Sequence, residues 1–162
     1  MALEIERKFL VTSNSWQNKT SHSVIRQGYL SRDIERTVRV RVKDDKAYLT
    51  IKGRNTGAIR TEFEYEIPKT DGEALLDTLA LKPLIEKTRT TIEYAGKIWE
   101  IDCFFGDNKG LVVAEVELSC ENEQIELPEW VGREVTSFPR YYNSALSERP
   151  YSQWSDDEKA GR

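Results

Sequence analysis

Glu4-Ile5-Glu6-Arg7-Lys8-Phe9-Leu10 is the stretch from which the chain reads outward. Glu4, Glu6 and Lys8 recur with period two, so on a β-strand they share one face. Leu3, Ile5 and Phe9 take the other, with Arg7 set among them. A half-buried strand places apolar residues on the core and mixed polar residues in water. Two same-face carboxylates followed by an ammonium is a narrower arrangement, although alone it also fits a solvated strand face.

The same parity returns along the chain. Residues 23–30 read as a second strand with Gln27 and Tyr29 on one face. Residues 36–43 alternate strictly, with Arg39, Arg41 and Lys43 opposite β-branched neighbours. Asp44-Asp45-Lys46 predicts a hairpin turn into 47–53, where Tyr48, Thr50 and Lys52 align. Residues 60–67 put Arg60, Glu62, Glu64 and Glu66 opposite Phe63, Tyr65 and Ile67. Three more strands follow, over 86–94 with Lys87 and Arg89 aligned, 97–105 with Glu100 and Asp102, and 111–119 with Glu115 and Glu117.

Between these strands, Thr70-Asp71-Gly72-Glu73 has the form of a capping box ahead of a helix carrying Leu75, Leu76 and Leu79. A short helix is expected over 13–21, and helical pieces over 129–147, where Trp130, Val135, Tyr141 and Tyr142 are available to pack on the strands. The expected fold is α+β, mainly β: an eight-stranded antiparallel closed barrel with helices packed outside. The expected domain spans 1–148, followed by a flexible tail over 149–162.

Composition narrows the function. The chain of 162 residues has 38% hydrophobic and 32% charged residues, room for one core and many charges. A net charge of −4 argues against a nucleic-acid partner. Cys103 and Cys120 are too few for a disulfide scaffold, and no signal peptide or apolar run of membrane length is read, so a cytoplasmic protein without a membrane partner is expected. His22 is the only histidine. A metal would therefore be held mainly by carboxylates, which favours magnesium, manganese or calcium.

The same-face charges come in like-signed blocks: Glu4/Glu6, Arg39/Arg41, Glu62/Glu64/Glu66, Lys87/Arg89, Glu100/Asp102 and Glu115/Glu117. Neighbours in such a row lie roughly 7 Å apart. Pattern alone leaves two arrangements open, a charged solvent face or a barrel lined inside by charge. The second suits a polyanion carrying hard cations. Basic rows would hold phosphate oxygens and acid rows the metal.

Glu4-x-Glu6-x-Lys8, Gln27-Gly28-Tyr29-Leu30, Val38-Arg39-Val40-Arg41, Leu49-Thr50-Ile51-Lys52, Arg60-Thr61-Glu62-Phe63-Glu64, Lys87-Thr88-Arg89, Trp99-Glu100-Ile101-Asp102 and Glu115-Val116-Glu117 occur in that order over residues 3–147. This ordered set resembles the CYTH superfamily, the triphosphate tunnel metalloenzymes, most closely its short single-domain bacterial members. The resemblance implies a triphosphatase that hydrolyses tripolyphosphate to pyrophosphate and phosphate with Mg2+ or Mn2+, acting on a small-molecule substrate as a monomer or homodimer. It implies metal ligation by Glu4, Glu6, Glu115 and Glu117, with Glu62 and Glu64 as further acids. It implies phosphate binding by Lys8, Arg39, Arg41, Lys52, Arg60, Lys87 and Arg89, and water activation shared between the metal and a catalytic pair, Lys8 and Tyr29. The alternatives are a class IV-like adenylate cyclase, a thiamine or nucleoside triphosphatase, and a non-catalytic polyphosphate or nucleotide sensor. No aromatic platform for a base is evident, which favours the bare polyphosphate.

Overall fold

The period-two rows become one antiparallel ladder in the computed structural model, which describes residues 3–17 and 21–162. The strands are β1 (Leu3–Val11), β2 (Ser21–Ser31), β3 (Arg36–Lys43), β4 (Lys46–Gly53), β5 (Ile59–Ile67), β6 (Ile85–Tyr94), β7 (Lys97–Phe104), β8 (Val112–Glu117) and β9 (Val131–Glu134). Their order is β5-β4-β3-β2-β6-β7-β8-β1-β9, and a further β5–β1 pairing closes eight of them into the expected barrel. One edge of β1 serves β8 through Glu6–Leu10. The other edge is divided: Leu3–Ile5 pair with β5, and Phe9 and Val11 pair with β9. Arg7 lies on the outside there, donating to both carboxylate oxygens of Glu134 at 2.9 and 2.7 Å. That accounts for a cation in an otherwise apolar outer row.

Two apolar clusters cover the outer wall. Phe9, Trp99, Ile101, Ala114 and Val116 point outward and are roofed by Trp16, Leu118 and Trp130. Val40, Val42 and Ala47 are roofed by α1 (Lys69–Thr78) through Leu76 and by Ala80 beyond it. The capping box expected at Thr70 does not form: α1 begins two residues earlier, behind Pro68, with no side-chain cap. Gly72 instead lets the helix approach the sheet, since a Cβ there would stand 2.5 Å from that of Ala47.

The third cluster corrects the reading of the C-terminal third. Leu10, Ile85, Phe104 and Val113 belong to the inward rows, and they pack against Val135, Tyr141, Leu146 and Trp154. The segment after β9 therefore enters one end of the barrel and stops it, where helical pieces on the outside were expected. It runs through α2 (Asn143–Leu146), a single turn, to α3 (Asp156–Lys159). The stretch expected as a flexible tail is packed as well. Trp154 is 5% exposed and meets Tyr141 edge-on at 4.9 Å, while Arg140 Nη2 and the Tyr141 hydroxyl donate to the Glu158 carbonyl. Ser155 and Glu158 form the capping box that does occur among the described helices. The physical cause is apolar: the barrel end presents a ring of Ile, Phe, Val and Leu that needs a lid. The short helix expected over 13–21 falls partly on 18–20, outside the described residues; what precedes them is a turn. Among the described residues no helix is long and apolar enough to cross a membrane.

Removing the Trp154 side chain leaves a void in this lid. Trp154→Ala should lower unfolding free energy by about 3 kcal/mol, within the range for large-to-small core changes. Urea unfolding followed by circular dichroism measures it, and a loss under about 0.5 kcal/mol would mean that the segment trails free.

Candidate active site

Each inward row changes character along its strand. On β8 it runs Val113, Glu115, Glu117; on β6, Ile85, Lys87, Arg89; on β7, Phe104, Asp102, Glu100; on β1, Leu10, Lys8, Glu6, Glu4. The first member of each packs in the stopped end, and the charges lie beyond it. They surround a cavity of about 200 Å³. Of the residues expected in the site, Glu4, Glu6, Lys8, Tyr29, Arg39, Arg41, Lys52, Arg60, Glu62, Glu64, Lys87, Arg89 and Glu115 all line it. Glu117 does not. It is Glu6's register partner, but its side chain is exposed beyond the cavity.

The cations form one wall. Arg39 donates to Thr50 at 3.2 Å and to Glu64 at 3.4 Å, and its buried Nε has no partner. Burial, with the charges of Arg39 and Arg89 adding to it, pushes the Arg41 guanidinium down to about 9. Arginine does not shed its proton in practice, so Arg41 stays a cation there, buried first of all and with Arg39 and Arg89 as like-charged neighbours. Deeper, Asp102 accepts from Lys87 Nζ at 2.7 Å and from Arg89 Nε and Nη2 at 2.8 and 3.0 Å. Burial raises the Asp102 carboxyl, but Arg89 and Lys87 outweigh it and hold the group far below the usual carboxylate range. Burial lowers Lys87 to about 7 against the pull of Asp102, with Arg89 and Arg41 adding to the fall.

Carboxylates form the facing wall, in two touching pairs. Burial, then Glu115 and Glu4, raise the Glu6 carboxyl well above its ordinary value, and Glu6 and Glu115 are in hydrogen-bond contact. Burial also raises Glu115, but Lys8, whose Nζ is 3.8 Å away, outweighs it and brings Glu115 to about 2. Glu4 and Glu62 form the second pair, with Lys52 between them at 3.0 and 3.3 Å. Among the described residues no three acidic or metal-binding side chains converge. The set still suits a hard divalent ion, because Mg2+ is commonly held by one or two carboxylates and completes its shell with water and substrate phosphate.

At Lys8 burial and charge pull in opposite directions. Burial would lower its pKa, yet Glu115, Glu6 and Asp102 outweigh burial and raise it. It stands as an ammonium, donating to the Tyr141 carbonyl at 3.3 Å, and no hydrogen bond joins it to Tyr29 among the described residues. Residues that sequence reasoning missed are Thr37, Asn55, Glu100, Thr136, Tyr142, Asn143 and Ser144, which also line the cavity. Glu100 was not named among the expected site residues, although parity with Asp102 was the available signal, and it accepts from Arg89 at 3.3 Å. Tyr142, Asn143 and Ser144 carry no sequence signal, because they arrive on the segment that stops the barrel.

The profile of the CYTH domain matches residues 2–151. The chain is 46% identical to an inorganic triphosphatase of Acetivibrio thermocellus over 96% of its own length and 100% of the relative's. It is 35% identical to an inorganic triphosphatase of Nitrosomonas europaea, over 89% of this chain and 96% of that one. The crystal structure of the inorganic triphosphatase NE1496 superposes with a TM-score of 0.66 at 32% identity, covering 91% of this chain and 95% of that chain.

The charged cavity has a cost that pH reveals. A carboxyl raised in the folded state binds its proton more tightly there than in the unfolded chain. Ionised Glu6 therefore costs stability once pH climbs past the ordinary glutamate value of about 4.3, and fully so above its raised folded value. In chelator-treated protein, Glu6→Gln should raise Tm at pH 8 and leave it unchanged below pH 4. Calorimetry at the two pH values checks it; an equal or lower Tm at pH 8 contradicts the assignment.

Proposed function

The chain belongs to the CYTH family, and from that premise we propose that it is a metal-dependent triphosphatase that hydrolyses inorganic tripolyphosphate to pyrophosphate and phosphate inside the barrel. The observation that carries the reading is the division of the cavity into two walls, each with charge left unanswered. On the cation wall the buried Arg39 Nε has no partner and Arg41 lies buried with Arg39 and Arg89 as like-charged neighbours, and on the acid wall burial, Glu115 and Glu4 raise Glu6. A polyanion bound with a divalent cation answers both at once.

Arg39, Arg41, Lys87 and Arg89 bind and orient the phosphate chain, the arginines as planar forks and Lys87 as a point charge. Lys52 and Arg60 reach it from the neighbouring strands. Glu6 and Glu115, with Glu4 beside them, would hold Mg2+ or Mn2+, and Glu62 and Glu64 are further acids on the same side. When bound, that ion neutralises phosphate charge and lowers the barrier to attack by water. Water adds to a terminal phosphorus as the bridging P–O bond breaks, releasing pyrophosphate and phosphate. Phosphoryl transfer asks chiefly for positioning and charge stabilisation, and the Lys8 ammonium supplies the second. Tyr29, on the opposite wall beside Arg39 in register, orients the water with its hydroxyl. The proton released goes to a carboxylate of the acid wall outside the set that would hold the ion, Glu62, which burial and the neighbouring Glu4 raise. Lys8 retains the catalytic place given to it, as a cation in place of a base.

The aromatic rings among the lining residues are Tyr29 and Tyr142, and Tyr142 already has Arg60 and Lys8 at 5.7 and 5.8 Å from its centre. This supports the bare polyphosphate over a nucleoside or thiamine triphosphate.

Phosphate release from tripolyphosphate, ATP and thiamine triphosphate, with Mg2+, Mn2+ or chelator, tests the reading. Turnover should be greatest on tripolyphosphate and vanish with chelator. Cyclic AMP from ATP would decide for a cyclase, and tight binding without turnover for a sensor. Arg41→Ala should raise the tripolyphosphate KM by roughly tenfold or more, the scale of a lost charge-assisted contact; an unchanged KM removes Arg41 from the phosphate wall.

A further inference from the structure

Asn143 stands at the inner end of the cavity, on the turn that the C-terminal segment sends into the barrel. Its Oδ1 accepts two hydrogen bonds, from Lys87 Nζ at 2.9 Å and from Gln27 Nε2 at 2.8 Å. An ammonium has donors only, so the oxygen of the Asn143 amide has to face Lys87. Gln27 then has to donate to that oxygen, which turns its own Oε1 toward Arg41. There it accepts from Arg41 Nε at 2.7 Å. The run from Arg41 through Gln27 to Asn143, met from the other side by Lys87, thus has one self-consistent polarity. Gln27 is 0% and Lys87 1% exposed, so neither can exchange these partners for water without moving. The other charged groups acting on Lys87 are Asp102 on β7, Arg89 on β6, Arg41 on β3 and Glu115 on β8.

We propose that Asn143 is a positioning residue for the phosphate wall: its single amide oxygen fixes where Lys87 points and, through Gln27, where the Arg41 guanidinium points, so that both meet the same end of the bound polyanion. The identity of that polyanion rests on the tripolyphosphatase reading; the positioning itself does not. A residue that merely anchors the barrel's stopper would loosen the C-terminal segment when cut and leave the two cations where they are. A residue that aims them changes their order and the substrate's KM at unchanged fold.

The test uses the full chain with Asn143→Leu, Asn143→Asp and Gln27→Leu. The first readout needs no ligand: solvent exchange of the Arg41 Nε–H by nitrogen-15 NMR, with Arg41→Lys to assign the signal. Exchange should quicken by about fivefold or more in Asn143→Leu, as expected when a buried donor's ordering partner is lost. It should return toward wild type in Asn143→Asp, whose oxygen still accepts from Gln27 and Lys87. The second readout is initial rates on tripolyphosphate. Asn143→Leu should raise KM about tenfold. The double variant with Gln27→Leu should be no more than about twofold worse than the worse single variant, because the two residues act through one chain. Wild-type Arg41 exchange in Asn143→Leu, or losses that multiply in the double variant, would overturn the proposal. If wild-type protein does not turn over tripolyphosphate, the functional reading falls, and the exchange readout still decides the positioning. Should Asn143→Leu fail to fold, Asn143→Ala carries the same expectations.

Discussion

Asp102 is the interaction on which the inner end of this barrel depends. It answers Lys87 and Arg89 together, at 2.7 to 3.0 Å, in a place with almost no access to water. Two cations left there without it would carry a desolvation penalty of several kcal/mol each. One carboxylate between two cations leaves the group net positive. With Arg39 and Arg41 on β3, beyond β2, the wall remains short of negative charge. That shortage is the chemical property the site offers to a phosphate chain.

The barrel can hold so much charge because it is apolar elsewhere. The same inward rows that carry Lys8, Lys87, Asp102 and Glu115 begin with Leu10, Ile85, Phe104 and Val113, and the C-terminal segment seals that end with Tyr141, Leu146 and Trp154. A through-tunnel would wet both ends of the charged rows. A stopped one leaves a single polar volume, lined by acids on one side and bases on the other. The stopper also brings donors and acceptors of its own, and Asn143 places one of them between Gln27 and Lys87.

Much of this was legible in residue order. Period-two rows gave eight of the nine strands to within a residue or two, enough strands to close a barrel; β9 lies where helical pieces were expected, and the β5–β1 pairing that closes the barrel is a tertiary contact. Like-signed blocks gave nearly all of the cavity wall, since a row that carries one wall residue carries its same-face neighbours too. The exceptions are instructive. Glu117 obeys the parity yet lies beyond the cavity, and Glu100 obeys it and lies inside. Parity reports the face of a strand and is silent about depth along the barrel. The Lys8 pKa direction was likewise open, because it depends on how near Glu115, Glu6 and Asp102 stand.

By itself, then, the sequence determined which side chains share a face and which signs of charge share a row, because alternation is a local property of an extended chain. Only the tertiary structure decided that those faces turn inward, that one end is filled, and that Tyr142, Asn143 and Ser144 join the site. These depend on which distant segments meet. Nothing in the spacing of residues 135–154 distinguishes an apolar stretch that caps a barrel from one that lies along its outside. The unsatisfied ring of Ile85, Phe104 and Val113 chooses between them, by the apolar surface it removes from water.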